Sequence, residues 1–308
     1  MPWENRIGRR LRPKDLHTLQ TIAELGSMAK ASVALGLSQP AISKAIADLE
    51  RMLGAELLDR SARGVELTKP GHLLVERGRI IFDELRQCVR DIEHLTDPAR
   101  GEVRVGTTAP MTVFLSEVIS HMSPRHPGIT YCIDVGDSKT LLRSLREREL
   151  DIVITRWMAS AEPEDLSAEL LFDAPLAVLA DRGHPLVGRE NLDLADLMTE
   201  TWVLPPPDGF LGRIITDIFR RRGLHCPPAL VTTVSVYMQL NLVAGGRFLA
   251  MLPARMARYQ ANLAWLRTLQ VDLSDSVDPV ASVTIAGRRL AGPVSLLQKA
   301  CREVADLR

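Results

Sequence analysis

Ser38, Gln39, Ser43 and Lys44 lie on the outward side of a short helical repeat, and they suit a polyanion better than they suit catalysis. Gln39 can pair bidentately with an adenine edge, a contact worth about 1–3 kcal/mol of discrimination against other bases. Ser43 and Lys44 fit phosphate oxygens or a second base. Arg60 and Arg63 follow in the segment Glu56 to Thr68, where guanidinium groups would reach a phosphate backbone and Thr68 closes the segment as a further contact. Nothing comparable serves bond-breaking chemistry. The chain has no G-x-S-x-G, no P-loop, no H-E-x-x-H and no G-x-G-x-x-G after a strand. It is therefore read as a non-enzyme that needs no cofactor or metal.

The elements that would position these groups are legible in the spacing. Leu16, Leu19, Ile22 and Leu25 predict a first helix opened by Pro13 and ended by Gly26. Met28, Ala31 and Leu35 predict a second, stopped at Gly36, with Leu37 as the apolar residue of the turn. Ser38 stands at the N-cap of a third, and Pro40 in its first turn, where the missing N–H is harmless. Ile42, Ala45, Ile46, Leu49 and Leu53 form its core-facing stripe. Two short strands around an Arg63-Gly64 turn follow as a wing. Periodicity alone leaves a plain helical hairpin with a solvated Gln and Lys open as the alternative to a helix–turn–helix that enters a major groove.

The full string decides between them. GSMAKASVALGLSQPAISKAIADLERMLGAELLDR and GVELTKPG, with the SQPAIS core, Leu49-Glu50, Leu53-Gly54 and Leu67-Thr68 before Gly71, closely resemble the N-terminal signature of LysR-type transcriptional regulators. Ser32 stands where that family usually has a second alanine, and Leu58 where the wing usually has phenylalanine. The resemblance implies a DNA-binding regulator with double-stranded promoter DNA as partner.

At 308 residues the chain is long enough for two or three domains and for burial of about 75% of its unfolded surface. Its net charge of zero hides an asymmetry: residues 1–70 carry a net +3, which suits a dimer placing two such modules on one duplex. Arg6, Arg9, Arg10 and Arg12 crowd the N-terminus as a solvated tail or a phosphate-touching arm. Cys88, Cys132, Cys226 and Cys301 are scattered, with no C-x-x-C, and read as reduced thiols, a thiol sensor being the minor alternative. No run approaches the roughly 18 apolar residues of a membrane helix, and Met1-Pro2-Trp3-Glu4-Asn5 begins no signal peptide, so no membrane partner and a cytoplasmic location are expected.

Pro70 to Thr96 predicts one long helix. Ile81, Leu85, Cys88, Ile92 and Leu95 step by four and three, the seam of a coiled coil, and point to self-association as a homodimer or homotetramer. An ordinary amphipathic helix is the alternative, and the family's dimerisation helix lies at the corresponding place. Beyond Asp97-Pro98 the chain alternates strands and helices in a βαβαβ pattern that implies a parallel sheet. LFDAPLAVLAD reads as a strand crossing into a second α/β stretch, and LAWLRTL and VASVTIAG as return strands.

The expected fold class is thus α/β: a winged helix–turn–helix over 1–69, a linker and dimerisation helix over 70–97, and a regulatory domain over 98–308. The last divides into one lobe at about 98–172 and 274–308 and another at about 173–273. The layout resembles the LysR effector domain, itself similar to periplasmic solute-binding proteins. Ala244-Gly245-Gly246-Arg247-Phe248 departs from the family's usual Gly-x-Gly-Ile.

A cleft between such lobes lies at strand carboxyl ends and helix N-termini. Thr107 and Thr108 before a helix starting near Pro110, Ser138 as a cap, Thr155 and Arg156 at a strand end, and Asp208 and Phe210 in a proline-rich loop are the candidate contacts for a small, anionic effector such as a carboxylate. Plain N-capping is the commoner role of such Ser and Thr residues. RNA polymerase is a further partner to expect of such a regulator. Two alternatives stay open on this sequence: a winged-helix repressor fused to a ligase-type enzyme domain, and an effector-independent architectural DNA-binding protein. Arg77-Gly78-Arg79 lies inside the long helix rather than after a strand, which argues against a ligase nucleotide loop.

Overall fold

A computed structural model describes residues 11–61, 64–97, 100–157, 163–259, 264–273 and 279–307. The chain forms two compact units, one running to Arg90 and one beginning at Asp91. In the first, α1 (Pro13–Leu25), α2 (Met28–Leu35) and α3 (Gln39–Leu53) are each closed by a glycine in the left-handed region: Gly26, Gly36 and Gly54. Ser27 and Ser38 cap α2 and α3, accepting from the Lys30 and Ala41 amides at 3.4 Å each. Ile42, Ile46 and Leu49 of α3 are buried against Leu19, Ile22, Met28 and Ala31, each contributing roughly 1.5–3 kcal/mol. Leu53, expected in that stripe, sits in the last turn and is 37% exposed.

The wing is a two-stranded antiparallel ribbon, β1 (Leu58–Ser61) with β2 (Gly64–Leu67), in register from Leu58 opposite Leu67 to Ser61 opposite Gly64. Glu50 holds its entry: Oε1 accepts from the amides of Leu57 at 2.9 Å and Leu58 at 3.2 Å. The long helix α4 runs Lys69–Thr96. A Cβ on Gly71 would run into the Leu57 carbonyl, so only glycine lets this helix start against the ribbon.

The second unit contains two five-stranded mixed sheets. In chain order the elements are β3 (Arg100–Thr107), α5 (Thr112–Met122), β4 (Gly128–Val135), α6 (Ser138–Arg146), β5 (Ile152–Arg156) and β6 (Leu166–Asp173). Then come β7 (Leu176–Asp181), β8 (Thr201–Leu204), α7 (Phe210–Arg221), β9 (Ala229–Thr232), α8 (Val236–Ala244), β10 (Phe248–Pro253) and α9 (Ala254–Tyr259). The last are β11 (Leu266–Thr268), β12 (Pro279–Ile285) and α10 (Gly292–Asp306). The first sheet has the order β4-β3-β5-β12-β6 and the second β11-β7-β10-β8-β9. Each has a parallel core, β4-β3-β5 and β10-β8-β9, to which antiparallel strands are added.

The sequence LFDAPLAVLAD is two strands rather than one. β6 ends at Asp173 in the first sheet, Ala174-Pro175 intervenes, and β7 begins the second; a proline cannot continue the ladder. LAWLRTL likewise does not return: β11 pairs antiparallel with β7 and stays at the edge of the second sheet. Among the described strands after β7, β12 alone goes back, between β5 and β6. Val105, Phe114, Val118, Ile154 and Leu297 build the core on the first sheet. Trp202 and Phe219, edge to face at 6.0 Å, anchor that of the second, and the Trp202 indole N–H donates to the Leu197 carbonyl at 3.0 Å. Arg255 of α9 reaches back to the first lobe: its guanidinium pairs with Glu117 at 2.5 Å and lies 4.9 Å from the Phe114 and Phe172 ring centres.

Candidate functional site

Helix α3 presents its N-terminal turn to solvent. Gln39, Pro40 and Lys44 are exposed and Ser43 is half-buried, while the Ser38 hydroxyl is the helix cap. Gln39 and Lys44 are therefore held by a rigid helix with their polar ends free to meet a groove. Thr68 differs from expectation. Its hydroxyl donates to the Glu56 carbonyl at 2.6 Å and accepts from the Gly71 amide at 3.1 Å, so it joins the wing to the start of α4 rather than facing outward. The Arg60 side chain and the whole of Arg63 lie outside the described residues. Along α4, Ile81, Leu85, Ile92 and Leu95 are 41%, 49%, 58% and 82% exposed, and Cys88 is exposed among them. An apolar seam open over that length is unusual for a surface helix with no further partner.

In the second unit a cavity of about 540 Å³ opens at the carboxyl ends of both parallel strand sets. From the first sheet it is lined by Thr108 after β3, Asp137 and Ser138 after β4, and Thr155 and Arg156 at the end of β5. From the second it is lined by Pro205 and Pro206 after β8, Val234 and Ser235 after β9, and Leu252 at the end of β10. Phe210, Val236 and Gln239 add side chains from α7 and α8. One wall thus carries hydroxyls and a guanidinium, and the other is mostly apolar. The Ser138 and Thr155 hydroxyls are hydrogen-bonded to each other at 2.8 Å, and Arg156 Nη2 donates to the Ala174 carbonyl at 2.5 Å. A Cβ on Gly212 would collide with the Pro206 carbonyl, which is how α7 comes close enough to bring Phe210 to the cavity.

The cavity thus brings together Thr108, Pro110, Ser138, Thr155, Arg156 and Phe210 of the expected residues. Thr107 is absent from it. Successive strand residues face opposite sides, and Thr107 is fully buried with its hydroxyl donating to the Ile154 carbonyl at 3.2 Å. Asp208 is exposed in its loop and does not line the cavity either. Ser138 is not the cap of α6. Asp137 is, accepting from the Thr140 amide at 3.0 Å, and hydrogen bonds from Thr140 hold its carboxyl below the ordinary aspartate range. Near Pro110 the chain makes a 3₁₀ turn, Ala109–Met111, before α5 begins.

Comparison with known proteins agrees with this architecture. The family model for the bacterial regulatory helix–turn–helix protein of the lysR family matches residues 13–72, and that for the LysR substrate binding domain matches residues 96–306. The chain belongs to the LysR family of transcriptional regulators. It is 31% identical to the HTH-type transcriptional regulator GbpR of Rhizobium radiobacter over 80% of this chain and 83% of that one. Against the regulator TdcA of Escherichia coli K12 it is 29% identical over 96% and 95%. Among solved structures, full-length CbnR complexed with its target DNA superposes with a TM-score of 0.67 at 19% identity, covering 96% of this chain and 100% of that one.

This LysR chain is therefore a DNA-binding transcriptional regulator with a substrate-binding domain, of a family whose members bind DNA and small-molecule effectors and are not enzymes. Among the described residues no helix is long and apolar enough to cross a membrane, and no His, Cys, Asp and Glu cluster could hold a metal. Sequence reasoning missed Glu50 as the strut of the wing, and Asp137, Ser235 and Gln239 around the cavity. Asp137 and Ser235 were open to capping rules, since each directly precedes a helix. Gln239 had no such signal, because it is distinguished by burial alone.

Proposed function

We propose that this LysR regulator reads promoter DNA through the N-terminal turn of α3 and responds to a small carboxylate held in the cavity. The reading is supported by one observation: Thr108, Ser138, Thr155 and Arg156, three hydroxyl-bearing residues and an arginine, line one side of a cavity whose other lining residues are mostly apolar. Hydroxyl and guanidinium donors are the groups that recognise a carboxylate, and the one acid among them, Asp137, is occupied by Thr140. On the DNA side, Gln39 contacts a base edge, Ser38, Pro40, Ser43 and Lys44 set the helix against the duplex, and Arg60 and Arg63 reach phosphates from the wing.

The open seam of α4 supports a homodimer, or a tetramer built from two, with Ile81, Leu85, Cys88, Ile92 and Leu95 at its centre. The domains follow as 1–69 for DNA, 70–97 for pairing and 98–308 for the effector. The protein acts in the cytoplasm, where its thiols stay reduced, and RNA polymerase is its partner at the promoter. Effector binding changes the lobe arrangement, and a coupling of about 1–3 kcal/mol suffices to switch operator affinity.

Fluorescence anisotropy on the DNA just upstream of its own gene, against random DNA, tests the base-reading part. Gln39→Ala should weaken the specific complex by about 5–100-fold and leave random DNA binding nearly unchanged. Equal losses on both DNAs would remove Gln39 from base recognition.

A further inference from the structure

Gln239 lies in the first turn of α8, forms part of the cavity wall, and is 1% exposed. Its Nε2 donates to the Thr233 carbonyl at 2.8 Å, which fixes the amide's orientation: the remaining group is the acceptor Oε1. That oxygen is buried and has no hydrogen-bond partner. Buried acceptors are nearly always satisfied, and an unmade one destabilises the free protein. The other polar side chain on the second lobe's wall, Ser235, already accepts from the Met238 amide at 3.2 Å. The Gln239 amide N–H is likewise taken, by the Ser235 carbonyl at 3.0 Å. Gln239 Oε1 is thus a buried acceptor on a residue of the cavity wall, with no hydrogen-bond partner among the described residues.

We propose that the effector is a hydroxy-carboxylate, its carboxylate at the Thr108, Ser138 and Arg156 wall and its hydroxyl donating to Gln239 Oε1. This rests on the reading of the cavity as a carboxylate site. A neutral donor fits better than an ammonium. The same side of the cavity is lined by Val236, Phe210, Pro206 and Leu252, and an unpaired cation loses its hydration against such apolar groups. Among the described residues the one carboxylate lining the cavity, Asp137, belongs to the other sheet's side and accepts from Thr140. The contact gives Gln239 a second role. In the free protein it ties the turn after β9 to α8; with the ligand bound it tells a hydroxylated acid from its deoxy analogue.

Two matched triplets probe this in the full-length chain by calorimetry and thermal shift: lactate, alanine and propionate, and the longer 4-hydroxybenzoate, 4-aminobenzoate and benzoate. In the wild type, the hydroxyl member of at least one triplet should bind about tenfold tighter than its deoxy partner. Gln239→Met keeps the side-chain bulk and should erase that preference while still binding the deoxy acid. Because the ratio is taken within each protein, a general loss of stability from the missing Thr233 contact cancels. Equal affinity for hydroxyl and deoxy members in the wild type, or a preference that survives Gln239→Met, overturns the proposal and leaves the carboxylate site standing. Alanine preferred over lactate overturns the neutral donor, and 4-aminobenzoate, whose aryl amine is uncharged, preferred over 4-hydroxybenzoate overturns the hydroxyl as that donor. Failure of all six compounds to bind would bring down the carboxylate reading itself, and the proposal with it.

Discussion

The DNA-reading surface and the effector cavity use the same kinds of side chain in opposite ways. On α3 the polar groups that matter come from one short stretch, with Gln39 and Lys44 exposed, while Ser38, Glu50 and Thr68 bond within the fold. Around the cavity the polar groups come from segments as far apart as Thr108 and Gln239, and most are already bonded inside the fold. The first site is stiff and offers unpaired groups to a large, fixed polyanion. The second is enclosed and polarised, one wall for charge and one for bulk, and it sits where two lobes meet. Such a division would suit the proposed switch, in which a ligand bridging the walls alters their spacing and the reading head keeps its shape.

Changing the support of the reading head should have the largest effect. Glu50→Ala leaves the Leu57 and Leu58 amides without their carboxylate acceptor, a loss of about 2–3 kcal/mol. Thermal melting should show the N-terminal unit unfolding roughly 8–24 °C lower, with DNA affinity falling on specific and random sequences together. That pattern differs from Gln39→Ala, which removes a contact and no support. On the other side of the comparison, Thr108→Val keeps the shape of the cavity and removes one hydroxyl. Affinity for whichever carboxylate binds should drop about tenfold, measured by calorimetry, with operator affinity in its absence unchanged. An effector response that survives would place the anion contact elsewhere in the cavity.

The smallest effect is a pH dependence. The folded carboxyl of Asp137 titrates below its unfolded value because Thr140 donates to it. Its capping contribution is therefore fully present above the ordinary aspartate pKa of about 3.9 and is lost as the pH falls through the lower folded value. Asp137→Asn should flatten that acid limb of ligand affinity, since α6 also carries Ser138. At neutral pH, where Asn also caps well, it should change little. An unchanged acid limb would separate the cap from the site.

How much of this was legible in the chain follows the same division. The three helices, their glycine stops, the Ser38 cap and the outward Gln39 and Lys44 are set by residues within a few turns of each other, and spacing reveals them. Glu50 escaped because its partners are backbone amides of the wing, which no side-chain pattern marks. In the regulatory unit the strand–helix alternation was readable, yet Ala174-Pro175 and β11 were misplaced. A run of apolar residues does not say which sheet it joins, and the pairing of β7 with β10 and β11 is long-range. Thr107 and Thr108 are neighbours of like chemistry, and only the strand's facing separates the one buried under Ile154 from the one lining the cavity. Gln239 emerges from burial and an unfilled acceptor, which exist only once both lobes are built.

The measurement that bears most directly on the whole account is a gel-shift titration on the DNA upstream of the protein's own gene, at physiological salt with excess random competitor. It is run with and without each of the six carboxylates named above. A complex that survives the competitor and whose affinity or mobility is changed by one of them is the predicted result. A complex that random DNA removes, or one indifferent to every carboxylate, would contradict a sequence-specific regulator governed by an acid in its cavity.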